Sequence, residues 1–267
     1  MSIKQIAIPK KKRLKLQRPL NILSLDFDYF LKFDNDDASV LAEFPDGTEA
    51  FMQYNDVVWA THLAHKEVED KIKTVKCNED ELAKVSVFLN SCKADIPVMI
   101  ANSHVHIYDF ILSHAKPGQE LRILNLDYHH DAYHTEQELN CGNWVLKLKD
   151  RIDNPVLYQW VTPENGWNSA EGSIPRFVRE AYRFKTFGEY LSWNKEYKPD
   201  LIFLCRSDVW VPPHLDGYFD MLMRFTASHF SNVTGEQRIT KPRDLSKEIA
   251  KLRETYKTLF NESNISQ

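Results

Sequence analysis

The sequence predicts a three-layer α/β/α sandwich whose central sheet is mostly parallel. Two observations support this fold class. Short apolar runs alternate with stretches in which apolar residues recur at helical spacing, which is typical of a parallel sheet with helices on both faces. Residues suited to metal binding or catalysis follow directly after several of the runs, and open α/β sheets bind ligands at the carboxyl ends of their strands.

The apolar runs are short and bounded by polar residues, which favours strands over helices. Strands are predicted at residues 20–25, 97–101, 121–126, 156–161 and 201–205. Helical spacing predicts helices at 50–92 (mostly helical), 107–113, 145–152, 215–225 and 244–260. The length of 267 residues fits one large domain over 1–267. Within it, we expect a basic N-terminal arm at 1–18 and a C-terminal helix and tail at 244–267.

The composition excludes several classes of partner and location. The net charge of −4 provides no basic field that would gather nucleic acid. No apolar run approaches the roughly 20 residues that a membrane span needs, and the basic N-terminus lacks the apolar segment of a secretory signal. The four cysteines are widely spaced and form no CxxC pair. Free thiols in a reducing cytoplasm are therefore expected.

The first predicted strand ends in two carboxylates, Asp26 and Asp28. Because strand side chains alternate with period two, both are expected on one face of the strand. An acidic turn is the alternative interpretation. Two carboxylates buried together repel each other and cost free energy unless a cation neutralises them, so the pair favours a metal site.

The second predicted strand leads into His104 and His106, which precede a helix. A histidine at the end of a strand that opens a helix is well placed to point into the cleft at the carboxyl edge of the sheet. We expect at least one of the two to bind metal. The alternative is a buried histidine with ordinary hydrogen-bond partners.

The third predicted strand ends in the richest motif of the chain, Asp127-x-His129-x-Asp131. Carboxylate and imidazole ligands together suit manganese, iron(II) or zinc; a chance run of polar residues is the alternative. With the residues of the first two strands, the motif offers more ligands than one tetrahedral zinc site uses. Such a set suits two ions, which lower the pKa of a shared water and so equip a site to hydrolyse a guanidinium or an amide.

These motifs together resemble the arginase and ureohydrolase superfamily. The segment Asp127-Tyr128-His129-His130-Asp131 resembles its Asp-Ala-His-x-Asp signature, and Ser24-Leu25-Asp26-Phe27-Asp28 resembles its Ser-x-Asp-x-Asp signature. Cys141-Gly142-Asn143 resembles its Ser-Gly-Asn turn, and His104 matches its single upstream histidine. The resemblance covers roughly residues 20–30 and 97–160. The Asp-x-Asp motif comes first here, whereas it comes last in arginase, and this order is similar to a divergent branch that includes the peptide arginases.

The resemblance implies an arginase/deacetylase-like fold and a metal-dependent hydrolase with two Mn²⁺ ions; Fe²⁺ or Zn²⁺ remain alternatives. Its substrate would be a ribosomal precursor peptide, in which arginine side chains are converted to ornithine with release of urea. The family's ligand roles carry over as follows: Asp127 and Asp26 bridge the ions, His104 and Asp131 complete one shell, and His129 and Asp28 complete the other.

The chain departs from arginase at Val145, where that family has a proton-shuttle histidine. Proton transfer would need another group, and the candidates are His134, His130 and His106. Asp208 is our candidate to bind the guanidinium, because a carboxylate opposite that planar group makes paired hydrogen bonds. It could equally cap a helix or pair with Arg206. Asn143 either orients the substrate backbone or holds its own turn.

Two other functions are compatible with the same residues. One is a small-molecule ureohydrolase or a deacetylase-like amide hydrolase, the latter with a single zinc. The other is a binding protein that keeps a relic site, which the missing arginase histidine would favour. The repulsion among unneutralised carboxylates argues against a relic. Whether several copies of the chain assemble is left open by the sequence.

Overall fold

The computed structural model describes residues 17–33, 38–45, 54–133, 138–181, 183–235 and 241–263. The strands are β1 Leu20–Asp26, β2 Leu31–Lys32, β3 Lys76–Cys77, β4 Val98–Ala101, β5 Leu121–Leu126, β6 Val156–Val161, β7 Leu201–Cys205 and β8 Val233–Gly235. The α-helices in these ranges are α1 Asn55–Ala64, α2 Lys66–Ile72, α3 Glu79–Ser91, α4 Ile107–His114, α5 Trp144–Arg151, α6 Glu164–Ala170, α7 Arg176–Arg179, α8 Phe187–Trp193, α9 Asp216–His229 and α10 Ser246–Ser263. Most of the predicted N-terminal arm, residues 1–16, lies outside the described residues.

The central sheet has six strands in the order β6-β5-β1-β7-β4-β8, and every neighbouring pair is parallel. All five predicted strands belong to it, with ends that agree to within one residue. The edge strand β8 was not predicted, because three residues are too few to show a period. A second, antiparallel sheet pairs β2 with β3, and β3 lies inside the region 50–92 that was predicted to be mostly helical.

Helices cover both faces of the central sheet, which confirms the predicted α/β/α layers. One hydrophobic core joins one sheet face to α1, α2, α3, α8 and α9. The other core joins the opposite face to α4, α5, α6 and α7. Alternate residues of each strand enter different cores: in β1, Leu23 and Leu25 belong to the first core and Ile22 to the second. Asp26 and Asp127, from the predicted metal-binding motifs, continue the second of these faces.

Further sequence predictions can be compared with the described residues. The four cysteines Cys77, Cys92, Cys141 and Cys205 are all free thiols, as expected. Among the helices of the described ranges, none combines the length and the apolar character required to cross a lipid bilayer. The helix predicted at 215–225 is α9, which extends to His229, and the C-terminal helix begins at Ser246.

Candidate metal centre

The sheet order brings the predicted ligands to one place. Strands β5, β1, β7 and β4 are consecutive neighbours, so their carboxyl ends form a continuous edge. Asp26 ends β1, Asp127 follows β5, and His104 lies in a short 3-10 turn three residues after β4. The three side chains are buried, and one ligand atom from each lies within 4.8 Å of the others. Segments far apart in the sequence thus form one cluster.

The two carboxylates of the first motif do not share a strand face, contrary to the prediction. Asp26 is the last residue of β1, whereas Asp28 belongs to a 3-10 helix over Phe27–Phe30. The Asp26 side chain accepts a hydrogen bond from the backbone N–H of Asp28 at 3.5 Å, so it caps this turn. The turn directs the two carboxylates toward different histidines, Asp26 toward His104 and Asp28 toward His129.

The second motif is also a turn and not an extended strand end, because β5 stops at Leu126. Asp131 adopts a φ of 50°, in the left-handed region that few residues other than glycine occupy. Aspartate tolerates this conformation better than most side chains. The reversal brings the Asp131 carboxylate back to within 2.8 Å of His104.

Three carboxylates surround Nδ1 of His104. The nearest oxygens of Asp26 and Asp127 lie 3.1 Å from this nitrogen, and that of Asp131 lies 2.8 Å away. Even so, within the described residues the nitrogen has no hydrogen bond of acceptable geometry, although it is fully buried. Buried nitrogens are nearly always satisfied. A ring nitrogen that converges with three carboxylates on one point, without bonding any of them, fits a shared cation.

The other side of the His104 ring fixes its orientation. Nε2 lies 2.6 Å from the Ser24 hydroxyl, and the ring stacks on Phe203 with an interplanar angle of 3° and a centroid distance of 5.6 Å. Trp144 packs against the ring at 5.4 Å and donates a hydrogen bond from its indole N–H to Asp131 at 2.6 Å. A bond to Ser24 that holds the proton on Nε2 leaves Nδ1 free to act as a metal ligand.

A second group of ligands adjoins the first. His129 Nδ1 lies 2.9 Å from Asp28 Oδ2 and 3.9 Å from Asp127 Oδ1. Asp127 therefore belongs to both groups, with Oδ2 toward His104 and Oδ1 toward His129. Backbone N–H groups hold both carboxylates: that of Tyr128 donates to Asp28 at 3.1 Å, and that of His129 donates to Asp127 at 2.8 Å.

Burial and mutual repulsion shift the pKa values of the cluster. Burial raises the pKa of Asp26 to about 6, and the carboxylate of Asp28 adds to the rise. Burial, with Asp131 and Asp28 nearby, holds the pKa of Asp127 well above its ordinary value. Burial alone would lower the pKa of His104, but Asp131 and the other carboxylates outweigh it and raise that pKa well above its ordinary value. The cluster therefore favours added positive charge, which divalent cations provide in place of protons.

The other predicted site residues that fall within the described ranges are not in the cluster. His130 is fully buried: its Nδ1 accepts the N–H of Ala132 at 3.1 Å, and its Nε2 lies 3.2 Å from the Ser173 hydroxyl. Both ring nitrogens are thus engaged, which argues against a proton-shuttle role. His106 is half-buried at the start of α4. His134 lies outside the described residues.

The two predicted substrate-binding residues have structural partners. Asn143 holds its turn through its side chain. The side-chain oxygen accepts a hydrogen bond from the backbone N–H of Asn140 at 2.9 Å, and the side-chain NH₂ donates to the Glu138 carbonyl at 3.0 Å. Asp208 forms a two-pronged, buried ion pair with Arg206. The structure therefore favours a turn-holding role for Asn143 and the pairing with Arg206 for Asp208.

Three supporting residues were missed as members of the site, namely Ser24, Asn125 and Trp144. Ser24 and Asn125 are register partners on adjacent strands, each two residues before a ligand, and Asn125 donates to Asp127 at 2.9 Å. The sequence could have indicated both residues, because side chains two positions apart on a strand lie on the same face, here the face that carries the candidate ligands. For Trp144, thirteen residues after Asp131, spacing carries no such signal.

Replacing Ser24 by alanine is expected to weaken cation binding about 10- to 100-fold, the usual effect of losing the group that orients a ligating histidine. The change removes the partner of His104 Nε2 and leaves that buried nitrogen unsatisfied. Calorimetric titration with Mn²⁺ measures the effect. Ser113→Ala is the control, because Ser113 bonds only within and beside its own helix turn. Equal affinities in both variants would contradict the role of Ser24.

Comparison of the chain with models of protein families, with curated proteins and with solved structures finds no match. The resemblance to the arginase superfamily therefore rests on the motifs alone. Its consequences for function are proposals.

Proposed function

We propose that this protein is a binuclear metal hydrolase that cleaves a guanidinium group, with the arginine side chains of a ribosomal precursor peptide as substrate and ornithine and urea as products. The observation that carries the proposal is the sharing of Asp127 between two ligand groups, one around His104 and one around His129. A single carboxylate whose two oxygens face two histidines is suited to hold two ions side by side.

The donor set fits hard or borderline divalent ions. In the proposed site, His104, Asp26 and Asp131 would hold one ion, His129 and Asp28 would hold the other, and Asp127 would contribute to both. Asp26, which the resemblance implies is a second bridging ligand, belongs only to the group around His104. Carboxylates dominate and thiolates are absent from this set, which favours manganese or iron(II) over a structural zinc site. When bound, two such ions supply Lewis acidity and an activated water for hydrolysis.

The protein's own residues orient and enclose the reaction. Ser24 and Phe203 hold the ring of His104 in place, and Trp144 holds the carboxylate of Asp131. Because these groups are preorganised, little reorganisation is needed during the reaction. Asp26 and Asp127 are buried, so bulk water has little access to their carboxylates. The four free cysteines are consistent with the cytoplasmic location that we propose.

The test combines metal content with urea release. The protein is loaded with Mn²⁺, freed of excess ion, and given an arginine-containing peptide beside free arginine. About two manganese ions per chain, as the two-ion site expects, with urea from the peptide, would support the proposal. Turnover of free arginine alone would favour a small-molecule ureohydrolase. One zinc per chain with amide cleavage would favour a deacetylase-like enzyme, and failure to retain any metal would overturn the metal site itself.

A further inference from the structure

The candidate metal centre has one side that reaches solvent. The side chains of Asp26, Asp28, His104, Asp127 and Asp131 are each at most 5% exposed. The side chain of the remaining ligand, His129, is 24% exposed. A substrate must therefore approach from the side of His129.

Trp210 stands beside this opening. Its ring centroid lies 4.7 Å from that of His129, with an interplanar angle of 46°, and the residue is only partly buried. Trp210 follows β7 and His129 follows β5, while β1 lies between these two strands. The strands that carry the two rings lie on either side of β1, and the rings meet at the side of the cluster that His129 leaves exposed. A group that enters beside His129 would therefore pass close to the indole of Trp210.

The loop that carries Trp210 is held firmly by backbone hydrogen bonds. Arg206 N–H donates to the Ala101 carbonyl at 2.9 Å, and Asp208 N–H donates to the Asn102 carbonyl at 3.0 Å. Ser207 has a φ of 57°, a left-handed conformation that turns the chain. The Trp210 N–H then donates to the Ser207 carbonyl at 2.8 Å, which closes the turn.

Side chains from distant segments hold the same loop. The Trp59 indole donates to the Asp208 carbonyl at 2.8 Å. Arg243 donates to the same carbonyl at 2.7 Å and to that of Val211 at 2.6 Å. An aromatic ring that remains partly exposed, on a loop fixed by this many bonds, is a preorganised surface and not a mobile cover.

We propose that Trp210 is the platform on which the cationic group of the substrate side chain stacks as it enters the site, and that it makes the enzyme selective for a cation over a neutral group. This inference rests on the proposed function. The indole face carries partial negative charge and is the best aromatic platform for a cation. A guanidinium, being planar, can stack on the ring while its edge faces the opening beside His129.

The experiment compares the manganese-loaded wild-type protein with the variants Trp210→Leu and Trp210→Phe. Equilibrium binding is measured by calorimetry with two peptides of one sequence that carry lysine or norleucine at the arginine position, since neither has a guanidinium to hydrolyse. We expect the wild type to prefer the lysine peptide. Trp210→Leu should reduce this preference about 3- to 30-fold, the range of a cation–π contact, whereas Trp210→Phe should retain most of it.

The control is Trp193→Leu, the same substitution at an indole that packs on Phe184 and Tyr190 in the region of α8. Metal content and melting temperature are measured for every variant, so that loss of the fold or of the ions is detected. Three results would overturn the inference. Trp210→Leu could leave the preference for the lysine peptide unchanged, it could weaken the binding of both peptides equally, or the wild type could show no preference. A lost preference without urea release from any arginine peptide would leave Trp210 assigned and reject the proposed reaction instead.

Discussion

Asp127→Ala is expected to abolish binding of both metal ions and to reduce urea release below detection, with the fold intact. Within the part of the chain that the structure describes, Asp127 is the candidate ligand common to both groups, so its substitution removes a ligand from each ion. In the wild type, Mn²⁺ at 100 times its dissociation constant should stabilise the fold by about 2.7 kcal/mol for each ion bound. The variant should show no such gain. Metal analysis and thermal unfolding with and without Mn²⁺ measure both effects.

A second variant, Asp127→Asn, measured without metal, tests whether loss of metal binding reflects loss of structure. Burial and neighbouring carboxylates raise the pKa of Asp127 well above its ordinary value, so this group does not stabilise the metal-free fold as a charged carboxylate. We expect metal-free Asp127→Asn to be at least as stable as the metal-free wild type. Asp95→Asn, at an exposed aspartate, serves as the control. Full manganese content or normal turnover in Asp127→Ala would refute the site.

Asp208→Asn is expected to destabilise the protein by about 3–5 kcal/mol, the usual cost of breaking a buried ion pair from one side. The Arg206 guanidinium is buried and makes two hydrogen bonds to the Asp208 carboxylate. Asp216 lies 3.9 Å from the same guanidinium, too far to replace both bonds. Urea denaturation of the metal-free protein measures the change in the free energy of unfolding.

This substitution also separates the two roles considered for Asp208. If the carboxylate bound the substrate guanidinium, the variant would keep its stability and show a raised KM. The exposed pair Arg176–Glu180 gives a matched control, because Glu180→Gln should change stability by less than about 1 kcal/mol. The double variant Arg206→Met/Asp208→Leu should be more stable than Asp208→Asn, since it leaves no unpaired buried charge.

The sequence was sufficient for the architecture and for the composition of the cluster. Apolar runs of strand length located five of the six strands of the main sheet, and the convergence of ligands followed from the parallel arrangement. Edge strand β8 escaped prediction because it is short and irregular. It ends at Gly235, whose φ of 139° and close approach to the Ile100 carbonyl exclude a side chain.

The details of the site depended on contacts that no local pattern encodes. Period two assigned Asp26 and Asp28 to one face, but a 3-10 turn separates them. The sequence made His130 a candidate for proton transfer. In the structure, its second ring nitrogen contacts Ser173, 43 residues away, and no local pattern predicts that contact. The left-handed backbone of Asp131 is likewise set by the tertiary structure, because nothing in the sequence before or after it demands that conformation.

The strand order has a consequence for how the protein is made. Strand β7 lies between β1 and β4, so the sheet that connects Asp26 to His104 is incomplete until residues 201–205 have been synthesised and inserted. During translation, the chain therefore carries its acidic segments for about one hundred residues after His104 before they can be brought together. Such long-range closure slows folding, and a metal ion that needs the complete cluster could be bound only after residues 201–205 have left the ribosome.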